Sequence, residues 1–113
     1  MKTWSGPQRV AHGGSAGTYW NSAECPFVVV RDGWYYLLRT QVYRPGGQQS
    51  RVYRSKDPMN FGINDDQFLL GMLPIAAPEI IELDGQTYIA SLLPSLKGIR
   101  IAKLEWGTTK EAR

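Results

Sequence analysis

The sequence predicts an all-β fold, on three observations. No segment keeps a helical period of apolar residues over three turns, and short β-branched and aromatic runs recur between turn signals. Two Asp-Gly pairs, Asp32-Gly33 and Asp84-Gly85, stand between apolar runs, which is the strongest short-range hairpin signal. The first candidate strand is Gln8–His12, ended by the polar, glycine-rich "AHGGSAGT". Pro26–Arg31 and Trp34–Thr40 form a hairpin about Asp32-Gly33, and "RPGGQQS" leads as a longer loop into Ser50–Ser55. The irregular connection "SKDPMNFGINDD" precedes Gln67–Leu73. A second hairpin joins Glu79–Leu83 to Thr87–Leu92 through Asp84-Gly85. "LPSLKG" then turns the chain into Ile99–Trp106, and "GTTKEAR" is a polar tail expected to fray.

Length and composition bound the function. A chain of 113 residues is one domain, and folding at that size buries roughly two-thirds of the unfolded surface. The net charge of +3 is spread without a run of like charge, so neither a nucleic-acid tail nor a membrane-surface helix is indicated. Cys25 is the only cysteine, which excludes an internal disulfide and a Cys-based zinc cluster. His12 is the only histidine, so a His-based metal site or a Ser-His-Asp triad would rest on it alone. It is read as a loop residue, and no metal or cofactor is expected. With no signal-peptide core and no run of 18 apolar residues, the expectation is a soluble, cytoplasmic protein with no membrane partner.

The chain repeats itself. "PFVVVRDGWYYLL" aligns without a gap on "PEIIELDGQTYIA", matching Pro26 to Pro78 at an offset of 52 residues. Val28 then meets Ile80, Val29 meets Ile81, Asp32-Gly33 meets Asp84-Gly85 and Tyr36 meets Tyr88. A third partial copy opens the chain if "MKTWSGPQRV" is laid on "SKDPMNFG", with Trp4 at the place of Phe61. Four short strands in a period of this size match a β-propeller blade. The expected architecture is thus about two four-stranded antiparallel blades, at about 24–73 and 76–106, with residues 8–13 available to complete the last one. Two blades cannot close a ring and would leave apolar faces in water. The chain is therefore expected either to belong to a longer propeller or to assemble as a homo-oligomer.

"AECPFVVVRDGWYYLLRT", "VYRSKDPMNFG", "AAPEIIELDGQTYIA" and "IRIAKLEW" together resemble the middle and later blades of the five-bladed propeller glycoside hydrolases of families 43 and 32. The resemblance covers about residues 1–106. It implies hydrolysis of an O-glycosyl bond of arabinofuranoside, xyloside or fructoside type, with Glu24, the acid of the Glu-Cys-Pro motif, as general acid. A glycosidic oxygen leaves only when protonated, so such an acid must hold its proton near neutral pH, as a partly desolvated site allows. The base or nucleophile on the other side of the sugar comes, in those families, from blades this chain lacks, so little activity is expected of the chain alone.

Other residues are weighed beside Glu24. The "APE" of Glu79 resembles the family motif that presents a pKa-tuning aspartate, although the blade order differs and the residue is Glu. Arg39, Thr40, Gln41 and Tyr43 close the second strand of the acid-bearing blade and can line a sugar cavity, with Trp20 or Trp34 offering a ring face; buried packing is the commoner use of such rings. Asp32, Asp84, Asp57 and Asp65-Asp66 are read as turn or loop residues. Cys25 is expected to be a small buried filler. Arg39, Arg44, Arg51 and Arg54, interleaved with Tyr35, Tyr36, Tyr43 and Tyr53, are read as a solvated outer face rather than a stacking platform for single-stranded nucleic acid. The alternative to an enzyme is a non-catalytic carbohydrate-binding or structural module that self-associates.

Overall fold

Both Asp-Gly pairs make the turns their sequence requires. Asp32 and Gly33 have φ of 51° and 76°, and Asp84 and Gly85 have φ of 50° and 77°. Two consecutive left-handed residues are the signature of the type I′ turn, whose twist matches that of the strands it joins. In a computed structural model, the described residues are 3–19, 22–42 and 47–107, with Val42 described for its backbone only. They contain seven strands: β1 (Glu24–Arg31), β2 (Trp34–Val42), β3 (Gln49–Ser55), β4 (Leu69–Leu73), β5 (Glu79–Leu83), β6 (Gln86–Leu92) and β7 (Ile99–Lys103). The fold is all-β. β1 to β4 form one antiparallel meander and β5 to β7 a second, three-stranded one. No helix among the described residues is long and apolar enough to cross a membrane.

The expected strand over Gln8–His12 is an extended segment with a single parallel bridge, His12 to Ile63. Its hydrogen bonds go to the connection between β3 and β4: Phe61 N donates to Val10 O at 2.7 Å, His12 N to Gly62 O at 3.0 Å, and Asn64 N to His12 O at 2.7 Å. It therefore lies along residues 61–64 and adds no strand to β5–β7. Trp4 and Phe61 occupy unlike places as well, since Trp4 is 85% exposed and Phe61 1%. Phe61 is enclosed with Leu37 and Tyr53, against Val10, Ala11, Tyr35, Phe68 and Leu69. Burying each of these large side chains stabilises the fold by about 2–3 kcal/mol.

Strand alternation assigns the two faces of the first sheet. Tyr35, Leu37, Arg39 and Gln41 share a face with their cross-strand neighbours Arg51, Tyr53 and Ser55, and the 10–16 segment covers it. The opposite face carries Tyr36, Leu38 and Thr40 and meets the second sheet. There the Tyr36 and Trp106 rings lie 5.1 Å apart. Polar contacts seal the junction: Ala77 N donates to Thr40 Oγ1 at 2.8 Å, Ser50 Oγ donates to Ile75 O at 2.7 Å, and Thr40 and Ser50 hydroxyls are 3.1 Å apart. Because the Ser50 proton is used on Ile75 O, Thr40 donates to Ser50, and the relay leaves no member unsatisfied.

In the second sheet Thr87 and Ser91 are buried, whereas Ile81, Leu83, Ile99 and Ile101 are exposed. The register places those four, with Tyr88, Ala90 and Leu92, on one face. The same face also carries Glu79, Gln86 and Lys103, and its isoleucines and Leu83 are open to solvent.

Candidate functional site

The repeat continues into backbone detail. Cys25 and Ala77, equivalent at the 52-residue offset, both precede proline and both have positive φ, 46° and 50°. A residue before proline is normally extended, and a left-handed non-glycine costs about 1–2 kcal/mol. Two such positions in register mean that both repeats enter their first strand through the same strained corner. In β1 the corner is a bulge: pairing with β2 shifts between Glu24 and Phe27. Pro26 sits within it, where no ladder donor is required.

The corners meet. Cys25, Pro26 and Phe27 from one repeat and Ala77, Pro78 and Glu79 from the other line a cleft of about 220 Å³. Its volume lies below the roughly 300–1,000 Å³ of sites for drug-sized ligands, so it suits a single small ring or part of one. Glu24 is half-buried beside this cleft, with Thr40 as its cross-strand partner. The equivalent place in the second repeat is sealed: Ala76 is 0% exposed, and its carbonyl accepts Leu92 N at 3.0 Å. One repeat therefore presents a carboxylate where the other closes over a methyl group.

The sequence-derived candidates separate into three groups. Glu79 is exposed and lines the cleft, whereas Glu24 is not among the lining residues and only precedes Cys25, which is. Arg39 and Gln41 lie on the other face of the first sheet from Thr40 and have internal partners: Arg39 Nη2 donates to Tyr53 Oη at 2.6 Å and Gln41 Nε2 to Ala16 O at 2.8 Å. Trp34 pairs with Arg31 at the far end of the hairpin. Six residues of strand put it about 20 Å from Thr40. Its ring lies 3.9 Å from the Arg54 guanidinium and 4.1 Å from Lys56 Nζ, so cations rather than a sugar occupy it. Trp20 and Tyr43 lie outside the described residues, as does Arg44.

Two expectations are corrected. Cys25 is exposed rather than buried, because the bulge turns it out of the ladder toward the cleft. The arginines are not a solvated outer face: Arg39, Arg51 and Arg54 are 6%, 8% and 5% exposed. Arg39 and Arg51 are covered by a segment from early in the chain, where Arg51 Nε donates to Ser15 Oγ at 3.3 Å and Arg51 Nη2 to Ser15 O at 3.2 Å. No local pattern in β2 or β3 signals that cover.

The same segment engages Asp66, whose Oδ1 and Oδ2 accept Ser15 N at 3.0 and 3.1 Å. The Asp66 carboxyl titrates below the ordinary Asp range, chiefly through the Ser15 backbone bond, then the Ser15 hydroxyl, with the charges of Arg51 and Arg39 adding and burial opposing. Asp57 closes a local turn, its Oδ1 accepting Met59 N at 2.9 Å. No group of three or more His, Cys, Asp or Glu residues able to hold a metal occurs among the described residues.

No protein-family model matches the chain, and neither the curated proteins nor the solved structures contain a match to it.

Proposed function

We propose that this chain is the acid-bearing portion of a propeller-type glycoside hydrolase, acting on an arabinofuranoside, xyloside or fructoside, with Glu24 as general acid. The observation that carries the reading is the asymmetry at the paired corners: Cys25-Pro26 and Ala77-Pro78-Glu79 line one cleft, and at the position just before each corner the first repeat has Glu24 where the second has the buried Ala76. In this reading each antiparallel sheet is a blade and the strained pre-proline corner aims the strand entrance at the substrate. Glu24 protonates the leaving glycosidic oxygen, and Glu79 is a second carboxylate of the cavity. The base or nucleophile is supplied by further blades, of a longer chain or of another copy, and the assembly works in the cytoplasm. The test is hydrolysis of a panel of nitrophenyl arabinofuranosides, xylosides and fructosides by the assembled protein. Glu24→Gln is expected to lower kcat by about 100-fold or more, and an equal rate in the variant removes Glu24 from the mechanism.

A second reading, a non-catalytic carbohydrate-binding or structural module that self-associates, is favoured by the open apolar faces. Ile81, Leu83, Ile99 and Ile101 are exposed on the outer face of the second sheet, and Val28 and Val30 on the outer side of β1. Two unlike patches at opposite sides make a head-to-tail contact, and such contacts close into rings.

A further inference from the structure

The face of the first sheet turned away from the cleft carries two guanidiniums in direct opposition. Arg39 and Arg51 are cross-strand partners. Their Cβ atoms are therefore about 4.5–5.5 Å apart, a spacing at which like charges destabilise a sheet. Both are more than nine-tenths buried, at 6% and 8% exposure. Each keeps a buried N–H with no acceptor: Nε of Arg39 and Nη1 of Arg51. The hydrogen bonds they do make go to neutral oxygens, Tyr53 Oη, Ser15 Oγ and Ser15 O. Asp66 is the acid whose charge reaches both. Its two oxygens are taken by Ser15 N, and neither arginine forms an ion pair with a carboxylate among the described residues. The cluster thus carries two positive charges against one negative, with unused donors on both cations. Arg39 also stacks over the Tyr53 ring, 4.7 Å from its centroid, but a buried cation with unused donors remains unfavourable unless an anion satisfies them.

We propose that Arg39 and Arg51 bind a small oxyanion, a phosphate or a carboxylate, beneath the loop of Gly13, Gly14, Ser15 and Ala16. Guanidinium forks match both acceptors, and a charge-assisted bond in a dry site is about twice as strong as a neutral one. Gly13 and Gly14 let the loop close over the pair, since their φ values are 68° and 65° and a Cβ on either would run into the 64–66 segment. The site is independent of the cleft, because it lies on the opposite face of the sheet.

The test is calorimetric titration and thermal unfolding of the whole protein with sodium phosphate and, separately, sodium glucuronate, against sodium chloride at equal ionic strength. At least one oxyanion is expected to bind saturably and raise Tm where chloride does not; whichever arm responds identifies the anion. Arg51→Gln is expected to weaken that binding by roughly 10-fold or more, the loss of one charge-assisted partner. Asp66→Asn keeps an acceptor for Ser15 N while removing the negative charge, and is expected to tighten binding by about five-fold. This arm holds even if Arg51→Gln fails to fold. The absence of saturable binding, a Tm rise shared by chloride, or unchanged affinity in Asp66→Asn would overturn the proposal.

Discussion

At the scale of single residues, the molecule places its charges unevenly. Glu24 and Ala76 hold equivalent positions in two repeats, and their difference follows from what each must do. Ala76 seals a junction between the sheets, so any charge there would be desolvated without a partner. Glu24 is only half-buried, so its carboxylate keeps part of its hydration. Asp66 shows the opposite use of an acid, as an acceptor holding the 15–66 contact. Its carboxyl is depressed in the folded state, so its stabilisation is present above the unfolded Asp value of about 3.9 and is lost as pH falls through the lower folded value. Asp66→Asn is therefore expected to destabilise the protein slightly at pH 7, with wild type and variant converging below about pH 4. Urea unfolding at pH 7, 5 and 3 checks this, and a gap that widened on acidification would contradict it.

At the scale of elements, hairpins and junction depend on different physics. The two Asp-Gly turns were legible because they are local: the conformational demand falls on the same two residues that carry the signal. The strand boundaries were legible for the same reason, within a few residues. The junction was not. Thr40 reads as one more strand residue, yet its hydroxyl accepts Ala77 N from the connection between β4 and β5 and donates to Ser50. Thr40→Val keeps the shape and removes both roles, leaving a peptide N–H without its acceptor. The expected cost is about 1–3 kcal/mol in denaturant unfolding. A change below about 0.5 kcal/mol would mean that the relay does not hold the sheets. Arg39 and Arg51 were misread for an equally physical reason. Alternating arginine and aromatic residues describe a wet outer face only if nothing covers it, and the cover comes from Ser15, 36 residues before Arg51. A still larger separation in sequence hides the pairing of the 10–12 segment with residues 61–64.

At the scale of the whole molecule, the two sheets are joined through Ile75, Ala77, Leu93 and Trp106, and apolar surface is left outward. Ile81, Leu83, Ile99 and Ile101 form the larger open patch, where Ile99 alone is 68% exposed. Exposed apolar patches of this kind mark interaction sites. Light scattering is expected to give a mass that is a multiple of 12.7 kDa. Ile81→Lys with Ile101→Lys is expected to return it to a monomer. A wild-type monomer would show that this face needs no partner. The repeat anticipated two antiparallel sheets, entered at the Pro26 and Pro78 corners. The apolar surplus was legible too, in β-branched runs that outnumber the core positions available.

We propose that the cleft between those corners takes a sugar. The direct measurement is an amide NMR titration of the protein with arabino-, xylo- and fructo-oligosaccharides, which reads binding even where catalysis needs further blades. One of them is expected to shift the amides of Glu24, Cys25, Phe27, Thr40, Ala77 and Glu79 in a saturable way, leaving Trp34 and the Ser15 loop unmoved. No shift at the cleft with any of the three, or shifts confined to other surfaces, would contradict it.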